Sequence, residues 1–172
     1  MKIKVDFITG ILLFLVSVIA LLFPIFKITN ITFLLKYLFL AYAIINLGRF
    51  IINRKTKDYE GLYTSIVSIL LFICLFFIRV SNSTLALSLL VFAFVIFESF
   101  IRLKKADYYH DCKEKIWILE ITTLIVFVIS GLLTSLNILL VTDGNIFIIG
   151  NLFLINSFIE LIDPIVNYIT KK

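Results

Sequence analysis

Residues 7–26, FITGILLFLVSVIALLFPIF, carry no charged side chain. About 20 apolar residues in a helix are enough to cross the hydrocarbon core of a bilayer, so this stretch predicts a transmembrane helix. A short turn over residues 27–30 leads to a second apolar run, 31–52, which is followed by the basic segment RKTK at 54–57. Together the two runs predict a hairpin that enters the membrane, turns, and returns to the side from which it came.

The composition extends this interpretation to the whole chain. Of its 172 residues, 62% are hydrophobic and 16% are charged, whereas a soluble domain is about a quarter charged. The apolar runs do not alternate as membrane strands do, and in lipid a helix satisfies its own backbone hydrogen bonds. We therefore predict an all-α integral membrane protein with a single transmembrane domain over residues 1–172. Its six helices are predicted at residues 7–26, 31–52, 62–78, 85–103, 116–136 and 146–162.

Polar segments separate the predicted helices. The longest, KKADYYHDCKEK at 104–115, predicts a loop, and residues 137–145 predict a turn that includes Asp143 and Gly144. The last helix is predicted to stop at Asp163, because Pro164 follows it and proline ends most helices.

Lysine and arginine are unevenly distributed between the connecting segments. Alternate segments on one side hold 3 of the 16 basic residues, namely Lys27, Lys36 and Arg79. The other side holds the remaining 13: Lys2, Lys4, Arg49, Arg54, Lys55, Lys57, Arg102, Lys104, Lys105, Lys113, Lys115, Lys171 and Lys172. Because basic residues mark the cytoplasmic loops of membrane proteins, this asymmetry predicts that both termini are cytoplasmic.

The hairpin pattern recurs along the chain. Similar polar positions close the second, fourth and sixth apolar runs, at Asn46, Glu98 and Asn156. Three in-out-in hairpins are therefore predicted at about 7–55, 62–105 and 116–163. Since all three have the same orientation, they predict parallel repeats around an axis along the membrane normal.

Two stretches of the first hairpin resemble a known family. Residues 10–17, GILLFLVS, lead to Pro24, and the second run ends in IINLG at 44–48. This pattern resembles the repeat of HdeD-type membrane proteins, and the likeness extends over nearly the whole chain. The resemblance implies a bacterial or archaeal inner-membrane protein associated with acid resistance, without a catalytic motif.

Polar residues inside a bilayer are costly and are therefore candidates for function. The candidates lie near the inner ends of the predicted helices and would form one polar layer: Asn46, Arg49, Glu98, Glu120, Asn156 and Glu160. One interpretation is a site that binds protons or cations around Glu98. The other is a set of satisfied helix ends, in which Glu98 pairs with Arg102 four residues later and Glu120 extends to the membrane surface.

The inventory of reactive residues argues against an enzyme. His110 is the only histidine, so paired-histidine metal sites and serine–histidine triads are excluded. We predict no metal site, no cofactor and no nucleic-acid partner. The predicted partners are the lipid bilayer and either further copies of the chain or other membrane proteins.

Three functions remain open from the sequence. The first is a non-enzymatic, multi-pass protein of the inner (plasma) membrane that acts in acid or envelope stress tolerance. The second is a small transporter or channel component for protons, cations or a small solute. The third is a structural or assembly partner of other membrane proteins.

Overall fold

The computed structural model describes residues 2–27, 30–53, 59–78, 83–140 and 146–170. Six helices and no strands occur in these ranges, and each helix is long and apolar enough to cross a membrane. The all-α prediction is thereby confirmed, and the six candidate membrane-spanning helices agree with a multi-pass protein. The helices are α1 (Lys2–Leu22), α2 (Ile31–Asn53), α3 (Glu60–Phe77), α4 (Ser83–Asp111), α5 (Ile116–Leu140) and α6 (Ile146–Thr170).

Some features predicted from the sequence lie outside the described residues. These are the middle of the first turn at 28–29, the basic segment 54–57, Arg79, the turn residues 141–145 with Asp143 and Gly144, and the terminal Lys171 and Lys172.

The first helix ends earlier than predicted. It stops at Leu22 rather than at residue 26, and hydrogen-bonded turns cover residues 23–27. Pro24 explains the difference, because a proline disfavours the helical conformation of the residue before it. The amide of Lys27 donates to the carbonyl of Pro24 at 3.0 Å, and Lys27 has a left-handed φ of 59°.

The predicted loop at 104–115 is wrong over most of its length, because α4 continues to Asp111. This segment is polar but contains neither glycine nor proline, so nothing in it opposes a helix. The helix closes with a Schellman motif, in which Glu114 N donates to Tyr109 O at 3.0 Å and Lys113 N donates to His110 O at 2.9 Å. Lys113 takes the left-handed position of that motif, with φ 57°.

The predicted stop at Asp163 is also wrong. Helix α6 passes through Pro164 and continues to Thr170. A proline removes one backbone hydrogen bond, and membrane helices tolerate this loss when neighbouring helices pack around it. Ile159, Asp163 and Pro164 are all buried against the rest of the bundle.

The helices pack in a ring in which each contacts its neighbours in sequence and α1 closes onto α6. The most extensive contacts are α4 with α5, α1 with α6, and α2 with α3. A glycine lies at each of these three contacts: Gly10 faces Leu161, Gly61 faces Asn46, and Gly131 faces Val95. Small residues allow transmembrane helices to approach closely.

Gly131→Ala is expected to lower the free energy of unfolding by about 1–3 kcal/mol. A Cβ at this position would lie 2.3 and 2.6 Å from the two methyl groups of Val95, so no rotation of Val95 relieves both contacts. Unfolding of the purified protein in mixed micelles measures the effect. Gly48→Ala is the control, because its Cβ would meet nothing within 4 Å. Equal stability of the two variants would contradict the close approach, whereas Gly131→Ala combined with Val95→Ala should recover stability.

Aromatic rings fill the interior of the bundle. Phe39, Phe94 and Phe153 come from α2, α4 and α6 and contact one another, with ring centroids 5.1–5.8 Å apart. Tyr42 and Phe127 pack against them, and the hydroxyl of Tyr42 donates to the carbonyl of Phe153 at 3.0 Å. We call these five residues the aromatic cluster.

Candidate functional site: a buried ion-pair layer

Charged side chains converge inside one end of the bundle, the end at which α1 begins and α6 finishes. All six helices contribute, and no member is more than 16% exposed. We call this set the ion-pair layer. It consists of Asp6 from α1, Arg49 from α2, Glu60 from α3, Glu98, Arg102 and Lys105 from α4, Glu120 from α5, and Glu160 and Asp163 from α6.

Arg49 joins four helices. Its Nε lies 2.9 Å from Asp6 Oδ1, its Nη2 lies 3.0 Å from Glu60 Oε2, and its Nη1 lies 3.2 Å from Glu160 Oε2. Each edge of the guanidinium therefore faces a carboxylate from a different helix. The predicted places of Arg49 and Glu160 in one polar layer agree with this geometry.

Arg102 reaches across the bundle to α6. Its Nη2 donates to Asn156 Oδ1 at 2.7 Å and to Glu160 Oε1 at 3.0 Å, and its guanidinium lies 5.4 Å from the centre of the Phe127 ring. Because Glu160 uses its other oxygen for Arg49, it bridges the two arginines. The predicted pair between Glu98 and Arg102 is therefore wrong: the long side chain extends to α6 and does not turn back along α4.

Lys105 forms the other centre of the layer. Its Nζ pairs closely with Asp163 Oδ2 and lies 3.1 Å from Glu120 Oε1 and 3.6 Å from Glu60 Oε1. The prediction that Glu120 extends to the membrane surface is wrong, since its side chain is fully buried. The reason is the continuation of α4 past residue 103, which places Lys105 over the first turns of α5.

Glu98 differs from the other carboxylates. It is 2% exposed, and its Oε2 accepts one hydrogen bond, from Thr64 Oγ1 at 3.4 Å. Within the part of the chain that the structure describes, its Oε1 has no hydrogen-bond partner and no basic group forms an ion pair with it. A buried carboxylate without a cation is costly, so this position favours binding of a proton or a cation.

The three positions that define the repeat are all buried. Asn46 donates from Nδ2 to the carbonyl of Tyr42 in its own helix at 3.0 Å, whereas Asn156 accepts from Arg102. No hydrogen bond among the described residues joins Asn46, Glu98 and Asn156 to one another. The hydrogen bonds of these three positions therefore go to other residues, and their common depth in the membrane stays a prediction.

Several members of the layer were not candidates from the sequence: Asp6, Glu60, Arg102, Lys105 and Asp163. A repeat signal was nevertheless present, because acids occur at 6, 60 and 120, near the start of α1, α3 and α5. A buried threonine follows each acid by three or four residues, at Thr9, Thr64 and Thr123. This second repeated pattern, an acid followed by a threonine on the odd-numbered helices, would have identified Asp6 and Glu60 as members of the polar layer.

Comparison with protein-family models, with curated proteins and with solved structures finds no match.

Proposed function

We propose that the protein is a non-enzymatic, multi-pass membrane protein that binds a proton at Glu98 from the cytoplasm. One observation carries the proposal: among the residues that the structure describes, the buried carboxyl group of Glu98 has no ion-pair partner, in a layer that otherwise consists of ion pairs. In a cell that becomes acid, such a group would take up a proton and change the charge of the layer. That response is the role that we assign to the protein in acid or envelope stress.

The surroundings of Glu98 support proton binding over a purely structural role. A structural carboxylate in the membrane interior would need a cation at hydrogen-bond distance, as Glu160 and Glu120 have. The charged groups that act on Glu98 across the layer come from three helices and are of both signs: Arg102 in α4, Glu160 in α6 and Glu60 in α3. A proton neutralises Glu98 without disturbing these pairs.

The proposed orientation has both termini in the cytoplasm, so that the ion-pair layer lies in the cytoplasmic half of the membrane. The 13-to-3 distribution of basic residues supports it. The proposed arrangement as three parallel hairpins is supported by residues of like chemistry that recur on alternate helices of the ring. These are the mutually contacting Phe39, Phe94 and Phe153, and the acids Asp6, Glu60 and Glu120.

Proton binding is expected to disappear in Glu98→Gln. Protein in lipid nanodiscs is mixed with an indicator dye and acidified by a small step, and the wild type should take up about one proton per chain more than the variant. Asp107→Asn is the matched control, because Asp107 lies on the same helix but is 62% exposed. Equal uptake by the wild type and Glu98→Gln would contradict the proposal.

The orientation has an independent test in the two cysteines. Cys112 follows α4 at the end of the bundle that holds the ion-pair layer, whereas Cys74 lies near the other end of α3; both are exposed. In a Cys74→Ser background, a membrane-impermeant thiol reagent is expected to label Cys112 in inverted vesicles and not in intact cells. Labelling of Cys112 in intact cells would show that the protein has the opposite orientation.

The stress role follows from the resemblance of the repeat to HdeD-type proteins. Cells that lack the gene should survive a low-pH challenge less well, and the wild-type gene should restore survival while Glu98→Gln should not. Equal survival with and without the gene would remove the acid role and leave the proton site to be explained otherwise.

A proton or cation transporter is the second candidate. Ser68 favours it, because its buried hydroxyl has no hydrogen-bond partner among the described residues and lies one helical turn beyond Thr64, towards the interior of the membrane. Transport would require a path past the aromatic cluster, which fills the interior beyond this point. Flux through liposomes that contain the protein, lost in Glu98→Gln, would favour this candidate over simple proton binding.

A further inference from the structure

Buried donors and buried acceptors both lack partners inside the ion-pair layer. Arg102 donates only through Nη2, and its Nε and Nη1 have no hydrogen-bond partner in the described part of the chain. Glu98 Oε1 and Glu120 Oε2 are buried acceptors that also have no hydrogen-bond partner among the described residues. All three side chains are at least 98% buried. A polar group left unpaired in such a place is costly, and native proteins almost always satisfy it with protein, water or an ion.

The mixture of groups favours one kind of ligand over others. An anion would suit the N–H groups of Arg102 and would be repelled by Glu98 and Glu120. A metal cation would suit the two carboxylates and would be repelled by Arg102. Water accepts from an arginine N–H and donates to a carboxylate at the same time, and buried waters typically make about three such bonds.

We propose that ordered water occupies the interior of the ion-pair layer and links Arg102 to Glu98 and Glu120. The spacing along α4 supports this bridge. Glu98 and Arg102 are four residues apart and therefore adjacent on one helix face, yet no hydrogen bond or ion pair among the described residues joins them, and Arg102 extends to Asn156 and Glu160. One water between the two side chains would satisfy Oε1 of the first and an N–H of the second.

This water would also supply the path for the proton, a consequence that rests on the proposed function. Burial is graded within the layer: Glu98, Arg102 and Glu120 form an interior that is at most 2% exposed, whereas Asp6, Glu60, Lys105 and Glu160 form a rim that is 13–16% exposed. A proton that arrives at the rim would pass to the bridging water, which would release another of its own protons to Glu98. The water is unchanged by the transfer, so the step needs no other reactant.

The test is a structure of the full chain in a lipid nanodisc at a resolution that shows ordered water. We expect density at hydrogen-bond distance from both Arg102 Nη1 and Glu98 Oε1 in the wild type. Glu98→Gln keeps an oxygen acceptor and should keep the density, whereas Glu98→Met has a similar size and should lose it. A direct contact between Arg102 and Glu98 with no density between them would overturn the inference.

Infrared spectra recorded in ordinary water and in water labelled with ¹⁸O give a second measurement that does not depend on resolution. An isotope-sensitive band of a buried water is expected in the wild type and in Glu98→Gln, and not in Glu98→Met. A band that persists unchanged in Glu98→Met would also overturn the inference. If water is present but Glu98 takes up no proton, the inference stands and the proposed function is wrong. If Glu98 takes up a proton but no water is present, the proposed function stands and the inference is wrong.

Discussion

Arg102→Met is expected to lower the free energy of unfolding by about 3–5 kcal/mol, the range found when one partner of a buried ion pair is removed. Methionine keeps much of the length and apolar volume of arginine, so the loss comes from the charge and its hydrogen bonds. Glu160 would retain Arg49 on one oxygen but lose its partner on the other, and Asn156 Oδ1 would lose its donor at 2.7 Å. Equilibrium unfolding in mixed micelles measures the change.

Lys104→Met is the matched control for this variant. Lys104 lies on the same helix two positions away, is 84% exposed, and makes only a long pair of 3.8 Å with Asp107. An exposed pair of this kind contributes about 0–1 kcal/mol. The double variant Arg102→Met with Glu160→Gln should recover part of the loss, because it removes a carboxylate that Arg102→Met leaves with only one of its two basic partners. If the two single variants cost the same, the ion-pair layer does not stabilise the bundle as described.

Phe94→Ala is expected to cost about 3 kcal/mol, in the range for truncation of a buried aromatic ring. Phe94 lies in the middle of the aromatic cluster, where it stacks on Phe153 at 5.1 Å and contacts Phe39, Tyr42 and Phe127. The alanine would leave a cavity that lipid cannot enter, because the surrounding helices enclose it. Unfolding in the same mixed micelles gives the value.

Phe97→Ala provides the comparison for Phe94→Ala. Phe97 is one turn further along α4 and 51% exposed, so it faces the surroundings of the bundle. Lipid tails are as apolar as the ring that would be removed and can fill the space, so a small effect is expected. A larger loss of unfolding free energy for Phe97→Ala than for Phe94→Ala would show that the opposite face of α4 packs against the bundle.

The architecture followed from the sequence because the apolar runs are long, uncharged over most of their length and clearly separated. The length of the apolar runs fixed the number of helices, and α2 and α3 begin and end within two residues of the prediction. The boundaries that failed, in α1, α4, α5 and α6, depend on local chemistry. In α5 the helix continues to Leu140, so the predicted turn at 137–145 is wrong over its first four residues. Hydropathy marks where a helix leaves lipid, whereas the end of the helix itself depends on features such as Pro24 or the left-handed Lys113.

The candidate site was predicted in part. The structure brings the predicted Arg49, Glu98, Glu120 and Glu160 into the ion-pair layer and buries Asn46 and Asn156, whereas their place in the inner leaflet stays a prediction. Lys105 and Asp163 were missed because their segments were interpreted as a loop and a helix stop, where charged residues are normally solvated. Which partner a long side chain selects could not be predicted either, since Arg102 has acids within reach on its own helix and on α6. The partner that Arg102 contacts depends on how the helices pack against one another, and a single sequence does not show this packing.

We propose that Glu98 takes up a proton on acidification, inside a layer whose other carboxylates are held in ion pairs. Infrared difference spectroscopy of the protein in lipid, acid minus neutral, tests it most directly, because a protonated carboxyl group has a C=O stretching band distinct from that of a carboxylate. We expect a band that survives Asp107→Asn and is lost in Glu98→Gln. The same band in Glu98→Gln would contradict the assignment, and so would a wild-type spectrum that shows Glu98 only as a carboxylate.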